Sequence, residues 1–240
     1  MNEKEQELLA TVLDLFASEF ADKALLRGGM VLKVMGSARY TNDLDYLFVP
    51  YKSKKDILSE ILSCLKKLEG GSIKYSLNSQ CLRIFLSVEE TSIQIEVKVA
   101  LEVKSVVVST KLFSPQYNLP KRLIHIVDHS VSMANKLAAW NERRLARDLY
   151  DIWFFLQMNI TADYETLTKR LEKSRYSTLI KKEDRFKGNN IPEFYDFVRS
   201  KLGELSDTEI EQQLSDYLPP NELAGLVPLI RSGFVKLRFF

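Results

Sequence analysis

Two aspartates that lie two residues apart are the residues of this chain best suited to chemistry. Asp43 and Asp45 open an apolar run that continues to Val49. Alternate side chains of a β-strand point to the same side of the sheet, so a strand here would direct both carboxylates at one point. Carboxylate oxygens are ligands that Mg²⁺ prefers, and a cation keeps two close carboxylates ionised at neutral pH. The pair therefore predicts a divalent-metal site.

A glycine pair lies upstream of the aspartates. Gly28 and Gly29 follow the short apolar stretch Ala24–Arg27 and precede a helical pattern over residues 30–36. Glycines at the start of a helix let backbone N–H groups approach a phosphate closely. Arg39 is a further candidate phosphate ligand, although an arginine near the start of a strand is often a surface residue. Metal and phosphate sites together indicate nucleotide chemistry.

A third carboxylate is expected on a neighbouring strand. Glu96 lies between Ile95 and Val97, so alternation places its side chain on the face opposite theirs. An exposed strand residue paired with Lys98 is the other interpretation of Glu96. Glu102 is the rival candidate, and the sequence leaves the choice open.

A second set of charged residues lies in the C-terminal half. Lys136, Arg143, Arg147 and Asp151 are 7, 4 and 4 residues apart, so they share one face if their helix is continuous. Asp148 lies within the same stretch. The alternative is a solvent-exposed helix whose charges form i,i+4 ion pairs, which contribute little to stability.

These motifs resemble a known group of enzymes. A glycine pair followed by Asp-x-Asp on an apolar strand is similar to the DNA polymerase β nucleotidyltransferase superfamily. Within it, Arg39-Tyr40-Thr41-Asn42-Asp43-Leu44-Asp45 resembles the Arg-x-Ser/Thr-x-Asp-Leu-Asp motif of AbiEii-type nucleotidyltransferase toxins of bacterial toxin–antitoxin systems. Their later signature of Lys, Arg and Arg-Asp-x-x-Asp is matched by Lys136, Arg143 and Arg147-Asp148-Leu149-Tyr150-Asp151. The resemblance covers roughly residues 24–157.

The resemblance implies an activity and assigns residues to it. The expected reaction transfers a nucleoside monophosphate from an NTP to an acceptor hydroxyl and releases pyrophosphate. The implied ligands of Mg²⁺, or of Mn²⁺, are Asp43, Asp45 and Glu96. The triphosphate is expected to be held by Gly28, Gly29, Arg39 and Lys136, with Asp148 orienting Lys136 or the nucleotide. Met30 departs from the superfamily, where a serine is common after the glycine, and this leaves the phosphate to backbone amides and to Arg27 or Arg39.

The resemblance also implies partners. It predicts a growth-inhibiting toxin that is restrained by a cognate antitoxin and modifies RNA, with the 3′ end of tRNA as the expected acceptor. A protein or small-molecule acceptor is the second hypothesis, and an inactive binding module is the third. The intact Asp43, Asp45 and Lys136 argue against the third.

Periodicity predicts an α+β fold, which the resemblance specifies as a polymerase-β-like core with a mixed sheet followed by an all-helical C-terminal domain. The predicted domains are residues 1–125 and 126–240. In the first, strands are expected at 24–27, 44–49, 73–77, 82–88, 93–99 and 105–112, and helices at 4–20, 30–36 and 53–68. In the second, helices are expected at 130–145, 146–157, 163–173, 191–203, 207–217 and 222–237.

Composition sets weaker limits. The 34 basic and 32 acidic residues give a net charge of +2, which is too near neutral to indicate a nucleic-acid partner by itself. A basic segment at residues 169–187 is the expected place for RNA, with a solvated helix face as the alternative. Cys64 and Cys81 have no histidine at ligand spacing, so no zinc site is expected. The absence of a signal peptide and of a long apolar run predicts a cytoplasmic protein without a membrane segment.

Overall fold

The computed structural model describes residues 3–174, 179–181 and 184–237. The chain divides into two compact units, Met1–Asp128 and His129–Phe240. No helix within the described residues combines the length and the apolar character needed to cross a membrane.

The first unit is built on one mixed sheet. Its helices are α1 (Glu3–Phe20), α2 (Gly29–Val34) and α3 (Lys55–Leu65). Its strands are β1 (Ala24–Arg27), β2 (Asp43–Phe48), β3 (Gly71–Leu77), β4 (Leu82–Val88), β5 (Thr91–Val99), β6 (Ser105–Ser109) and β7 (Leu123–Val127). The strand order is β3-β4-β5-β2-β1-β7-β6. The central strand β2 pairs in parallel with β5 and antiparallel with β1, so the sheet is mixed.

One face of this sheet forms the core of the unit. Tyr46 and Phe48 of β2 are buried, whereas Asp43 and Asp45 alternate with them and are half-buried on the opposite face. The ring of Phe16 in α1 lies 5.0 Å from the Tyr46 ring and 6.2 Å from the Phe48 ring, between ring centroids. A shift of one residue would exchange the two faces, so burial of the apolar face fixes where the carboxylates point.

Strand β6 is shorter than the predicted strand over residues 105–112. It ends at Ser109, whose Oγ accepts a hydrogen bond from the N–H of Lys111 at 3.3 Å. This contact opens a 3₁₀ turn over Thr110–Leu112. A serine hydroxyl that bonds the backbone two residues on competes with the strand ladder, and this ends the strand.

Strand β7 is not among the strands predicted from the sequence. The strand is only five residues long and has His125 at its centre. It pairs antiparallel with β6 and in parallel with β1. Pairing with two distant strands, which no local pattern records, therefore forms this element. The division between the units falls after Asp128, beyond the end of β7.

The second unit is helical throughout its described residues. Its helices are α4 (His129–Arg143), α5 (Ala146–Gln157), α6 (Tyr164–Ser174), α7 (Ile191–Glu204), α8 (Asp207–Leu214), α9 (Pro220–Leu223) and α10 (Leu226–Gly233). The predicted single helix over 222–237 is wrong, because Gly225 adopts a left-handed conformation with φ of 72° and separates α9 from α10. Helix α8 also ends at Leu214, short of the predicted residue 217. The mixed sheet and the helical region that follows it confirm the predicted α+β class.

Two glycines of the helical unit allow backbone conformation to be tested without a steric effect. A Cβ at Gly203 or at Gly225 would meet no atom within 4 Å. Gly203 lies in the last turn of α7, where alanine is favoured over glycine by about 0.5–1 kcal/mol. Gly225 is left-handed, which costs a residue with a side chain about 1–2 kcal/mol. We expect Gly203→Ala to raise and Gly225→Ala to lower the thermal unfolding midpoint in calorimetry; a rise in both would contradict the left-handed assignment.

Candidate active site

The polar face of β2 carries the predicted metal ligands. Asp43 and Asp45 lie on the same face of the strand, as their spacing predicts. The hydroxyl of Thr41, which is itself buried, donates a hydrogen bond to Oδ1 of Asp43 at 3.0 Å. The threonine of the Arg-x-Thr-x-Asp stretch therefore orients the first carboxylate.

Gly28 lies directly against the second carboxylate. A Cβ on Gly28 would lie 2.2 Å from Oδ2 of Asp45, which no side chain permits. The residue also has φ of 74°, in the left-handed region that favours glycine. Gly28 is the N-cap of α2, so the first N–H groups of that helix lie beside the carboxylate. The glycine is thus required by close approach as well as by the turn.

Gly29 is enclosed by the neighbouring polar residues. A Cβ there would lie 2.5 Å from Nη1 of Arg39 and 3.0 Å from Oγ1 of Thr41. Arg39 is only 5% exposed, so the interpretation of this arginine as a surface residue is wrong. The segment that carries Arg39 is attached to α1, where Gln6 Nε2 donates a hydrogen bond to the Thr41 carbonyl at 2.8 Å.

Glu96 is the register partner of Asp45 across the parallel pair of β2 and β5. Arg83 donates to Glu96 Oε1 from Nε at 3.0 Å and from Nη2 at 2.6 Å, and Gln94 Nε2 donates to the same oxygen at 3.3 Å. Glu102 lies in the exposed segment after β5. Of the two rival glutamates, Glu96 is therefore the one that the sheet places next to Asp45.

The donor set fits Mg²⁺ only in part. Within residues 3–174, 179–181 and 184–237, no cluster of three or more Asp, Glu, His or Cys side chains is arranged to hold a metal ion. Magnesium commonly takes one or two protein carboxylates and completes its shell with water and substrate phosphate. Asp43 and Asp45 fit that role, whereas Glu96 is engaged by Arg83.

Lys98 is a site residue that the sequence suggests only as a surface partner of Glu96. It lies on β5 two residues beyond Glu96 and so on the same face of the sheet. Burial lowers the pKa of Lys98, and the charge of Arg27 lowers it further, while Asp45 and Glu96 oppose this shift. The ammonium therefore lies within the electrostatic field of the carboxylates. The spacing of two residues between Glu96 and Lys98 was the sequence signal that places both on one face of the strand.

The helical unit contains a buried ionic network. Asp148 and Asp151 of α5 are fully buried. Lys136 of α4 places its Nζ 2.5 Å from Oδ2 of Asp151 and 3.9 Å from Oδ1 of Asp148. Arg143 donates to both oxygens of Asp148, each at 2.7 Å. The two aspartates therefore hold Lys136 and Arg143 in fixed positions.

The geometry of this network differs from a stripe along one helix. The chain turns at Arg144, with φ of 54°, and α5 begins at Ala146. Lys136 consequently meets Asp151 across two packed helices, and the condition of a continuous helix is not met. The interpretation as an exposed helix of ion pairs is wrong, because the aspartates are buried.

The remaining arginine of the signature, Arg147, and the nearby Arg144 have structural contacts. Arg147 Nη1 donates to the Tyr217 hydroxyl at 3.4 Å, and its guanidinium lies 5.5 Å from the centre of that ring. Arg144 stacks on the Trp140 ring at 4.0 Å, and burial lowers its pKa to about 10. Both residues fasten the α4–α5 connection to the rest of the helical unit.

The predicted basic segment at 169–187 is only partly open. Lys169 pairs with Glu165 at 2.5 Å and Arg170 with Glu142 at 3.0 Å. Arg185 is 7% exposed and donates to a backbone carbonyl. The exposed cations among the described residues of the segment are Lys169, which pairs with Glu165, and Lys173, Lys181 and Lys187. Arg175, Tyr176 and Lys182 lie outside the described residues.

A cavity of about 440 Å³ lies within the helical unit. Its lining is mostly apolar and includes Met133, Leu156, Ile160, Tyr195 and Leu237. Burial raises the pKa of Tyr195 to about 12, so its hydroxyl is protonated at neutral pH. None of the residues predicted to bind metal or nucleotide lines this cavity.

Gly28→Ala and Gly70→Ala compare a glycine that lies against Asp45 with a glycine that lies in open space. Both glycines are left-handed, with φ of 74° and 70°, but a Cβ at Gly70 would meet no atom within 4 Å. Gly70→Ala should therefore cost about 1–2 kcal/mol for conformation alone. Gly28→Ala should cost more, because φ of 74° with ψ of −152° is a conformation nearly confined to glycine and because its Cβ would clash with the carboxylate. We therefore expect a clearly larger fall in unfolding free energy, measured by urea denaturation. Equal losses would show that Asp45 does not press on Gly28.

Known proteins share both the sequence pattern and the fold. Residues 12–223 match the family model described as nucleotidyl transferase AbiEii toxin, type IV toxin–antitoxin system. MenT4, the nucleotidyltransferase toxin Rv2826c from Mycobacterium tuberculosis H37Rv, is similar in structure, with a TM-score of 0.59 and 16% identity, over 97% of this chain and 84% of that one. JHP933 from Helicobacter pylori gives a TM-score of 0.54 and 12% identity, over 99% and 90%. No curated protein sequence matches the chain.

At these identities the solved structures show the fold alone, and they confirm the predicted α+β fold with a mixed sheet followed by a helical region. The family match is more specific. It extends over both units and includes the carboxylates of β2 as well as the network around Lys136. The chain therefore belongs to the AbiEii family of nucleotidyl transferase toxins of type IV toxin–antitoxin systems.

Proposed function

We propose that this chain transfers a nucleoside monophosphate from an NTP to an acceptor hydroxyl, with Mg²⁺ or Mn²⁺ as the cofactor. The observation that carries the proposal is the contact between Gly28 and Asp45. It brings the N-terminal backbone amides of α2 next to the carboxylate of Asp45, which we propose as a metal ligand. A triphosphate with its metal ion needs both kinds of group together.

Each residue of the polar face then has a role. Asp43 and Asp45 would hold the ion, and Thr41 fixes the orientation of Asp43. The ion would screen the triphosphate and stabilise the charge on attacking and leaving oxygens. Glu96 is the proposed third carboxylate; the hydrogen bonds from Arg83 and Gln94 all reach Oε1, so Oε2 is the oxygen we assign to the metal.

The phosphates require positive charge and backbone donors. Gly28 and Gly29 would supply backbone donors and carry no side chain of their own, and Arg39 supplies a guanidinium beside Gly29. Lys136 of the helical unit is the lysine that the family signature assigns to the triphosphate. Asp151 and Asp148 fix its ammonium, which reduces the entropy lost when it binds phosphate.

The acceptor and the biological role follow from the family. A type IV toxin is restrained by an antitoxin, so we propose a cognate antitoxin as a partner. We propose RNA, with the 3′ end of tRNA first, as the acceptor. The exposed Lys173, Lys181 and Lys187 support an RNA contact more than the paired cations of the same segment do. An enzyme that consumes NTP and modifies tRNA would act in the cytoplasm.

Labelling tests the reaction directly. The purified protein is incubated with Mg²⁺, total tRNA and each α-³²P-labelled NTP separately. We expect label on tRNA with one or more nucleotides, and a loss of at least about 100-fold in Asp45→Asn, as when a group that stabilises transition-state charge is removed. Label on protein would identify a different acceptor. The absence of label from tRNA, protein and small-molecule fractions, with the fold intact by circular dichroism, would refute the transferase proposal.

A double variant tests Lys136 without leaving a buried charge alone. Lys136→Met removes the ammonium, and Asp151→Asn removes the carboxylate that lies 2.5 Å from it. Arg143 continues to pair with Asp148 in this variant. We expect at least about tenfold weaker binding of a fluorescent NTP analogue, because one charged phosphate contact is lost. Asp151→Asn alone is the control and should keep most of the affinity; unchanged affinity in the double variant would make Lys136 purely structural.

A further inference from the structure

The sheet of the first unit ends on one side in β6, beyond which no further strand lies among the described residues. A strand at the edge of a sheet presents unpaired N–H and C=O groups that another chain can bind. The opposite edge is β3, which carries Lys74 at its centre. A charged residue in an edge strand discourages such pairing, and β6, with the sequence Ser-Val-Val-Val-Ser, has none.

The hydrogen bonds that bracket the β6–β7 ladder show which backbone groups face outward. The carbonyl of Lys104 accepts from the N–H of Asp128, and the N–H of Thr110 donates to the carbonyl of Arg122, each at 2.9 Å. In an antiparallel ladder alternate residues bond the same neighbour, so the even-numbered residues of β6 face β7. The residues whose backbone groups point to the open edge are Ser105, Val107 and Ser109.

Two apolar side chains near this edge are accessible. Val107 is 51% exposed, and Leu123 of β7, diagonal to it on the same face, is 72% exposed. Burial of such residues against another apolar surface is favourable. The edge therefore offers backbone groups and two exposed apolar side chains at the same place.

We propose that β6 pairs antiparallel with β6 of a second copy of this chain about a two-fold axis at Val107. In this register Val107 lies opposite Val107 of the partner subunit, and Ser105 lies opposite Ser109 of the partner subunit. The sequence of β6 reads the same in both directions, so its pattern is self-complementary, as a two-fold interface requires. Lys104 falls opposite Thr110 of the partner subunit, so no like charges oppose each other.

The register also matches the backbone. Each of the three residues with outward N–H and C=O groups lies opposite a residue of the partner subunit whose backbone groups also point outward. Such opposed residues form the hydrogen-bonded pairs of an antiparallel ladder. A register shifted by one residue would instead oppose outward groups to groups already bonded to β7. The fold thus permits a short, symmetric ladder in which all three outward residues are paired, and its small size predicts a reversible dimer.

Proline substitution tests the backbone pairing. Val107→Pro removes an N–H that β7 does not use, so the monomer tolerates it, but it deletes both hydrogen bonds across the axis. Tyr75→Pro on β3 is the matched control, because Tyr75 is also 51% exposed and its N–H faces the other open edge, as the hydrogen bond from Asn78 to Cys81 indicates. Sedimentation of the full chain should show a concentration-dependent dimer. Val107→Pro should weaken it by about tenfold or more, and Tyr75→Pro should not.

Cysteine cross-linking tests the register independently of dimer strength. Opposed residues of a hydrogen-bonded pair have Cα atoms about 5.5 Å apart, within disulfide range. Val107→Cys should therefore form a covalent dimer under mild oxidation, whereas Ser105→Cys should not, and the native Cys64 and Cys81 are buried. Three outcomes would overturn the proposal. The wild type could stay monomeric at all concentrations while Val107→Cys forms no cross-link. Tyr75→Pro could abolish the dimer, or the two cysteine variants could cross-link equally.

Discussion

The pairing of β2 with β5 is the constraint on which the rest of the first unit depends. It is parallel, runs through Asp43–Phe48, and places Glu96 beside Asp45. Because Tyr46 and Phe48 are buried under α1, every residue of β2 is fixed to one face of the sheet. The hydrophobic effect, which has no chemical selectivity of its own, therefore determines the position of the charged groups. Packing of the apolar face of this sheet thus fixes the geometry of its polar face.

The two units hold charge in different ways. On the sheet, Asp43 and Asp45 are half-buried, and the backbone of Gly28 comes against one of them, so the surroundings suit a ligand that brings its own positive charge. In the helical unit, Asp148 and Asp151 are fully buried and already neutralised by Lys136 and Arg143. Buried carboxylates tolerate this only when paired. The half-buried carboxylates of the sheet are suited to binding and releasing a ligand, whereas the buried ionic network is suited to a fixed structural role.

Sequence patterns predicted most of the elements and the residues on the polar face, because alternation and helical periodicity report directly on burial. They missed β7, whose formation depends on pairing with two distant strands. They also joined α9 to α10, because the residues around Gly225 give no sequence signal that this glycine is left-handed. The burial of Arg39 and the position of Lys98 also escaped, since exposure of a charged side chain depends on tertiary contacts. The meeting of Lys136 with Asp151 required knowledge of how α4 packs on α5.

The ionic network of the helical unit also has a consequence for sequence variation. Lys136, Arg143, Asp148 and Asp151 contribute two positive and two negative charges around fully buried carboxylates. Loss of one member leaves an uncompensated charge, whereas joint loss of an opposite pair leaves the sum at zero. Selection for folding alone would thus remove single replacements and pass paired ones. These four positions should therefore change in opposite-charge pairs among natural variants. A chain with a single change at one of them should carry another substitution that balances the unpaired charge.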